Sequence, residues 1–164
     1  MFFNFKASAS HDQTIKIFCI LKLELLAILK GHTSWINCLE ILPCGNLISA
    51  GMDGHLKIWS LNDEMPLIRT ITRKVPANNR KNEMSIYSVK SLQTNKVIVG
   101  CGNGYIEIWD YENSECLNKI LAHKKYIWHI DISLNGEFVT SSGDKDIKSI
   151  HFNFYIVVFQ CFNK

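Results

Sequence analysis

The sequence has no closely spaced pair of cysteines and no long run of charge of one sign. Its six cysteines lie far apart along the chain: Cys19, Cys38, Cys44, Cys101, Cys116 and Cys161. Paired C-x-x-C spacing is typical of structural zinc sites and redox-active dithiols, so we predict neither a metal site nor a redox site. Eighteen basic and fifteen acidic residues leave a net charge of only +3, which indicates no class of partner.

Long hydrophobic runs are also missing. The most apolar stretch, residues 15–29, is interrupted by Lys16, Lys22 and Glu24, whereas a membrane-spanning helix needs about 20 consecutive apolar residues. Residues 1–6 lack the apolar core of a secretory signal. We therefore expect no transmembrane helix and no membrane partner. We predict an intracellular protein with reduced cysteines, cytoplasmic on the simplest interpretation, with the nucleus left open.

The sequence does contain an internal repeat. Four segments align without gaps, and each is interpreted as a tight turn followed by a strand: residues 12–18, 53–59, 103–109 and 144–150. Their first residues are 41, 50 and 41 positions apart. Two of these three intervals match the period of roughly 40 to 45 residues that is typical of a four-stranded propeller blade.

A second landmark locates the nine extra residues of the middle interval. His32 and His123 each stand 21 residues before the turn residue of their repeat, and Asn82 takes that place in the third repeat. This landmark follows the preceding strand end by 14 residues in the second and fourth repeats and by 23 in the third. The insertion therefore lies between Trp59 and Asn82, where the basic run 69–81 is found.

The dipeptide Gly31-His32, a downstream aspartate turn and an Ile-Trp strand end together resemble the WD-repeat (WD40) family. The resemblance covers about residues 7–151. It implies an all-β fold made of WD40-type β-propeller blades, each with four antiparallel strands. β-branched runs such as 46–49 and 137–140 fit such strands. Propellers close with about four to eight blades, so three nearly complete repeats and part of another predict an incomplete or open ring.

We expect one WD-repeat region spanning residues 1–164. Its predicted parts are a partial first blade (1–24), a second repeat (25–61), a third repeat with the basic insertion 69–81 (62–111), a fourth repeat (112–151) and an irregular tail (152–164). The preferred explanation of the incomplete ring is a fragment of a longer protein that contributes further blades. Closure with a second copy, or a small ring with one defective blade, are the alternatives.

The resemblance also implies a buried polar network in each blade, joining the histidine, a serine or threonine, the turn aspartate and a tryptophan. A satisfied network of this kind fixes packing because buried polar groups need partners. A histidine, a serine and an aspartate also suit nucleophilic catalysis, but this set recurs at blade spacing. We therefore predict structural roles, no catalytic residue and no cofactor. The expected members are His32, Ser49, Asp53 and Trp59; Asn103 and Trp109; and His123, Thr140 and Asp144.

In this family, the face that carries the histidine loops and the aspartate turns is the usual recognition surface. The candidate partner-binding residues follow each histidine or precede each turn: Thr33, Trp35, Met52, Glu83, Ser85, Lys124 and Tyr126. Trp35 and Tyr126 occupy equivalent positions, and exposed aromatic residues are enriched at interfaces. Packing of these two rings into the loop beneath them is the alternative.

The predicted function is a non-catalytic scaffold that binds one or more protein partners of unknown identity. This inference rests on the family resemblance, because fold does not imply function. The first alternative is a substrate-recognition or regulatory arm of a larger enzyme or complex. A second is nucleic acid binding through the basic insertion, but that run lacks interleaved aromatic residues, and we interpret it as a solvated loop.

Overall fold

The computed structural model describes residues 5–61, 66–74, 83–92, 94–133, 136–153 and 156–162, and only the backbone of those after 150. These residues form fifteen β-strands in four antiparallel sheets, and consecutive strands are neighbours in every sheet. Three sheets have four strands and the first has three. The prediction of an all-β fold of four-stranded antiparallel blades is therefore confirmed.

The strands of the four sheets, in chain order, are as follows. The first sheet contains β1 (Phe5–Ala9), β2 (Thr14–Cys19) and β3 (Leu25–Lys30); the second contains β4 (Ile36–Ile41), β5 (Leu47–Gly51), β6 (His55–Trp59) and β7 (Leu67–Thr72); the third contains β8 (Ile86–Ser91), β9 (Lys96–Cys101), β10 (Tyr105–Asp110) and β11 (Glu115–Leu121); the fourth contains β12 (Ile127–Ile132), β13 (Phe138–Ser142), β14 (Ile147–Asn153) and β15 (Ile156–Phe162).

The turn that opens each of the four repeated segments has one backbone conformation. The residue after the turn residue has a positive φ in every case, at Gln13 (70°), Gly54 (74°), Gly104 (80°) and Lys145 (76°). Two of these four positions require glycine for lack of space. A Cβ atom on Gly54 would lie 2.9 Å from the Met84 carbonyl oxygen, and a Cβ atom on Gly104 would lie 2.1 Å from the His123 carbonyl oxygen. These turns therefore lie directly against the following blade.

The sheets pack face to face in chain order and are not closed into a barrel. Their inner strands are neighbours: β4 lies beside β1, β8 beside β4, and β12 beside β8. Each interface contains an apolar core, represented by Ile15 with Trp59, Ile58 with Val99, and Ile98 with Ile130. Nearly every residue of β5 and β9 is buried, because their sheets are covered on both faces.

β-Bulges recur at one position on the inner strands. The residues left without a cross-strand partner are Asn37, Tyr87 and Trp128. The outer strands β3, β7 and β11 also carry one bulge each. A bulge bends its strand and interrupts the hydrogen-bonding edge, so those on the outer strands discourage edge-to-edge pairing.

The sheets and the sequence repeats are offset by one strand. The outer strand of each of the first three sheets comes from the beginning of the next repeat, so the first sheet extends to Lys30, past the predicted boundary at residue 24. The irregular tail predicted for residues 152–164 is wrong for the described part. Residues 156–162 form β15, which pairs with β14, as their β-branched and aromatic composition favours.

The described residues contain no helix with the length and apolar character needed to cross a bilayer.

Candidate functional site

The second blade contains a continuous chain of buried hydrogen bonds. His32 Nδ1 lies 2.7 Å from Asp53 Oδ2, and His32 Nε2 lies 2.7 Å from Ser49 Oγ. Trp59 Nε1 donates to the same serine oxygen at 2.8 Å. When Nδ1–H donates to the carboxylate, Nε2 accepts the hydroxyl proton of Ser49, which leaves the serine oxygen to accept from the tryptophan. The structure thus joins all four predicted residues.

The fourth blade repeats this arrangement without the tryptophan. His123 Nδ1 lies 3.0 Å from Asp144 Oδ2, and His123 Nε2 lies 2.9 Å from Thr140 Oγ1. Burial lowers the pKa of His123 despite its aspartate partner. Burial also opposes ionisation of Asp144, but hydrogen bonds from the Lys124 and Asp146 amides lower its pKa well below the usual range. A neutral histidine donating to a carboxylate is consistent with both shifts.

The third blade is braced by a different set of residues. Asn103 and Trp109 were predicted as its network members, but Trp109 Nε1 donates to Glu107 Oε2 at 3.1 Å. The Asn103 side chain accepts a hydrogen bond from the nearby Tyr105 amide. Asn82, which takes the histidine place in the sequence, lies outside the described residues. Trp109 thus belongs to a buried network, as predicted, but its partner is Glu107, since Val99 stands in the place of the serine. Asn103 does not join it through a side-chain hydrogen bond in the part of the chain that the structure describes.

Arg73 supplies the missing brace. Its Nε and Nη2 each donate to the carboxylate of Glu107 at 2.8 Å, and its Nη1 donates to the Met84 carbonyl at 2.6 Å. Lys119 Nζ lies 3.0 Å from Oε1 of the same carboxylate. The side chains of Arg73 and Glu107 are only 1% and 3% exposed, so this bidentate pair replaces the histidine network and joins the second blade to the third.

The cations around Glu107 stabilise its ionised form. Burial alone would raise its pKa, but the hydrogen bonds and charges of Arg73 and Lys119 outweigh burial and lower the pKa to about 2. The sequence contained one signal of this arrangement. The fourth residue after the turn residue is a lysine in the other three repeats and a glutamate in the third. A charge reversal at a fixed repeat position indicates a changed partner.

The hydroxyl groups of these networks are enclosed within the blades. Ser49 and Thr140 are fully buried, so a substrate has no access to either hydroxyl, although the His32–Ser49 distance would suit proton transfer. Burial also raises the pKa of the Cys38 thiol to about 12, and it strongly raises the pKa of the Cys101 thiol. Within the described ranges, no three side chains of the metal-binding types lie together.

The predicted partner-binding residues have different environments. Thr33, Trp35 and Lys124 are exposed, while Met52, Glu83 and Tyr126 are half-buried. The prediction that Ser85 is available to a partner is wrong, since only 1% of this residue is exposed. Its carbonyl accepts a hydrogen bond from the Gly102 amide. It is buried because β8 lies against the neighbouring turn at this point.

Trp35 and Tyr126, the two equivalent aromatic residues, differ in their contacts. Trp35 is 47% exposed and stacks on His11, with ring centroids 3.9 Å apart. Tyr126 packs on Gly143, where a Cβ would lie 2.2 Å from its ring. Tyr126 therefore packs on the turn beneath it, whereas Trp35 keeps about half of its surface available.

The sequence did not indicate Trp128, the most exposed aromatic residue among the side chains that the structure describes. It is 53% exposed and is the bulged residue of the inner strand β12. Its ring makes edge contacts with Tyr126 and Tyr87, at centroid distances of 4.6 Å and 5.3 Å. We call Tyr87, Tyr126 and Trp128 the aromatic trio. It joins the third blade to the fourth and presents one large apolar surface.

The basic insertion is partly built into the blades. Arg73 is buried in its ion pair with Glu107, and Arg69 Nη1 donates to the Glu112 carbonyl and the Ser114 hydroxyl. Lys74 is exposed, while Arg80 and Lys81 lie outside the described residues. The interpretation of the entire run as a solvated loop is wrong for Arg73. At least two of the five basic side chains are thus engaged within the protein.

Antiparallel sheets of three or four strands, stacked in chain order, are typical of the β-propeller class. The model of the family described as "WD domain, G-beta repeat" matches residues 23–60 and 114–150. These two segments are therefore similar to the WD-repeat family, which the sequence resembles. The crystal structure of the WD40 β-propeller domain of Doa1 shares its fold, with a TM-score of 0.75 at 23% identity, and the match covers 88% of this chain and 46% of that one.

Curated relatives are similar over part of their length. Mitochondrial division protein 1 of Saccharomyces cerevisiae (strain YJM789) is 28% identical over 119 residues, which cover 66% of this chain and 17% of that protein. The ribosome biogenesis protein WDR12 homolog of Anopheles gambiae is 28% identical over 158 residues, which cover 87% of this chain and 37% of that protein. The chain thus spans well under half the length of either relative.

Proposed function

We propose that this chain is a non-catalytic scaffold that binds protein partners on its loop face, the face that carries the histidine loops and aspartate turns. The observation that supports this proposal best is the exposure of Trp35 and Trp128, at 47% and 53%, on that face. Large aromatic side chains on a rigid support are typical anchors of protein interfaces.

The supports beneath these aromatic residues are rigid. Asn37 on β4 donates to the Ile86 carbonyl at 2.8 Å, which fixes the inner strands of the second and third blades to each other. Met52 N donates to the Trp35 carbonyl at 2.8 Å, and Gly143 N donates to that of Tyr126 at 3.0 Å. A surface that is already ordered loses little conformational entropy when a partner binds.

The proposed location of the chain is intracellular. The relatives named above are a mitochondrial division protein and a ribosome biogenesis protein, whose names place them in processes inside the cell. The five cysteines whose side chains the structure describes are free thiols: Cys19, Cys38, Cys44, Cys101 and Cys116. Free thiols are typical of reducing compartments.

Quantitative affinity capture tests the proposed function. The immobilised wild-type chain and its Trp128→Ala variant would be exposed to lysate of the source cells, and bound proteins would be quantified by mass spectrometry. Leu117→Ala is the matched control, because Leu117 is 46% exposed but lies on the outer strand β11. We expect the signal of specific captured proteins to fall at least tenfold with Trp128→Ala and to be retained with Leu117→Ala. Equal capture by all three chains would contradict the proposal.

A further inference from the structure

The joint between the third and fourth blades differs in charge from the other joints. Its turn residue is Asn103, whereas the other three repeated turns carry an aspartate. A cleft of about 430 Å³ lies beside this asparagine. Its lining residues are Asn103, Leu121, Ala122, His123, Lys124 and Lys148. Two lysines thus line the cleft, and no carboxylate does.

The two lysines differ in how they are held at this cleft. Lys148 Nζ donates to the Ala122 carbonyl at 2.6 Å, which holds its ammonium group at the cleft wall, and Lys124 is exposed. Asp144 lies nearby, but its side chain is 7% exposed and accepts hydrogen bonds from His123 and from the Lys124 amide. The Asp144 carboxylate is thus engaged by hydrogen bonds within the blade, and Asp146 also acts on His123. The charged side chains that line the cleft itself are the two lysines.

The cleft adjoins the aromatic trio. Tyr126 follows Lys124 by two residues on the same loop, and its ring contacts Tyr87 and Trp128. The backbones at this joint are also tightly packed, since a Cβ on Gly104 would lie 2.1 Å from the His123 carbonyl oxygen. The loop that carries Lys124 and Tyr126 thus connects the lysine-lined cleft with an exposed aromatic surface.

We infer that the partner presents an extended acidic peptide to this joint. A carboxylate of an aspartate or glutamate side chain binds between Asn103 and Lys124, and a neighbouring apolar side chain packs on the aromatic trio. Charge complementarity selects the peptide, because a basic side chain in the cleft would meet two ammonium groups. This inference rests on the proposed function and specifies the chemistry of its partner.

Asn103→Asp is the sharpest test variant. Aspartate is the residue of the other three turns, where Asp53 and Asp144 accept hydrogen bonds from the backbone amides of residues 55 and 146. Asn103 accepts in the same way from Tyr105. The substitution therefore preserves the turn and adds a negative charge to the cleft. The thermal midpoint of this variant serves as the folding control.

Selection from a displayed library of random 12-residue peptides, with the full 164-residue chain as target, provides the probes. We expect enriched peptides to carry Asp or Glu next to an aromatic or aliphatic residue. Fluorescence anisotropy with the best-enriched peptide should show affinity reduced at least fivefold by Asn103→Asp and by Lys124→Glu, and at least tenfold by Trp128→Ala. The control Lys22→Glu, on the opposite face, should change affinity by less than twofold.

The possible failures are distinguishable. Enriched peptides that are neutral or basic, but still depend on Trp128, would overturn the acidic partner and support the proposed loop face. Peptides that bind the Trp128→Ala variant as tightly as the wild type would count against both the acidic-peptide inference and the proposed loop face. Absence of enrichment over a blank surface would overturn the peptide inference, while the lysate capture would still test the proposed function separately.

Discussion

At the residue scale, the blades are braced in two chemically different ways. Asp53 and Asp144 hold a histidine that contacts a hydroxyl, whereas in the third blade Glu107 holds Arg73. Both solutions satisfy buried polar groups, but only the second buries two full charges. The blades therefore respond differently to substitution and to pH.

Asp53→Ala should lower the free energy of unfolding by about 1 to 3 kcal/mol, because it leaves His32 Nδ1 and the Thr33 amide without their acceptor. Urea denaturation followed by circular dichroism would measure this loss. Asp12→Ala is the matched control, since Asp12 occupies the same turn position but is exposed, and its effect should be smaller. An unchanged midpoint for Asp53→Ala would show that the network does not stabilise the second blade.

Glu107→Leu should be more harmful, with a loss of about 3 to 5 kcal/mol, because it leaves the Arg73 charge buried without a partner. The double variant Arg73→Leu/Glu107→Leu should recover part of this loss, since it removes both charges together. A double-mutant cycle in urea would give the coupling free energy. Additive losses would mean that the two side chains do not act as a pair.

The low pKa of Glu107 also predicts acid sensitivity. Burial opposes its ionisation, but Arg73 and Lys119 lower its pKa from 4.5 to about 2. The ionised group therefore stabilises the fold above about pH 4.5, and this contribution is lost as the pH falls towards 2. Glu107→Gln should lose less stability than the wild type between pH 7 and pH 3 in urea titrations. Parallel losses would contradict the prediction.

The networks of the second and fourth blades could be predicted because their members recur at fixed spacing. His32 and His123 stand 21 residues before their aspartates, and the structure places each pair in hydrogen-bond contact. The ion pair of the third blade could not be predicted in this way. Arg73 and Glu107 lie 34 residues apart across an insertion, so no repeat spacing relates them, and Arg73 resembled its exposed basic neighbours.

At the element scale, the same strand positions are buried or exposed according to whether another sheet follows. Ile48, Ile98 and Val139 occupy equivalent places on β5, β9 and β13. The first two are fully buried, whereas Val139, on the last sheet, is 36% exposed. The apolar core of each blade is therefore completed by its neighbour rather than within the blade.

Ile98→Ala should consequently lower the free energy of unfolding by about 2 to 5 kcal/mol, since it opens a cavity between the third and fourth sheets. Val139→Ala, its equivalent on the exposed face, should cost less than about 1 kcal/mol. Both are measured by urea denaturation at one pH. Comparable losses at the two positions would show that Val139 is covered by something other than solvent.

Strand identity could be predicted from the repeat, but the bulges could not. The alternating and β-branched runs indicate strands at β4, β9 and β13, and all three are present. A bulge depends on how one strand meets its partner, which no local pattern specifies. Trp128 was missed for this reason, because ordinary alternation does not indicate which residue of β12 lacks a cross-strand partner.

At the scale of the whole molecule, the stacked blades place loops from different repeats on one face. The histidine loops and the repeated turns all lie there, beside Trp35, the aromatic trio and the lysine-lined cleft. The outer strands β3, β7 and β11 carry exposed apolar residues as well, but their edges are bulged. The loop face is thus the surface that combines anchors, charge and rigidity.

Hydrogen–deuterium exchange of the chain, free and bound to the protein most strongly captured through Trp128, tests the proposed loop face most directly. The account predicts slower exchange on binding in residues 31–35, 101–104 and 122–128, where backbone amides lie at the loop face. Exchange in the outer strands at 25–30 and 67–72 should not change. Protection confined to those outer strands, with the loop face unaffected, would contradict the account.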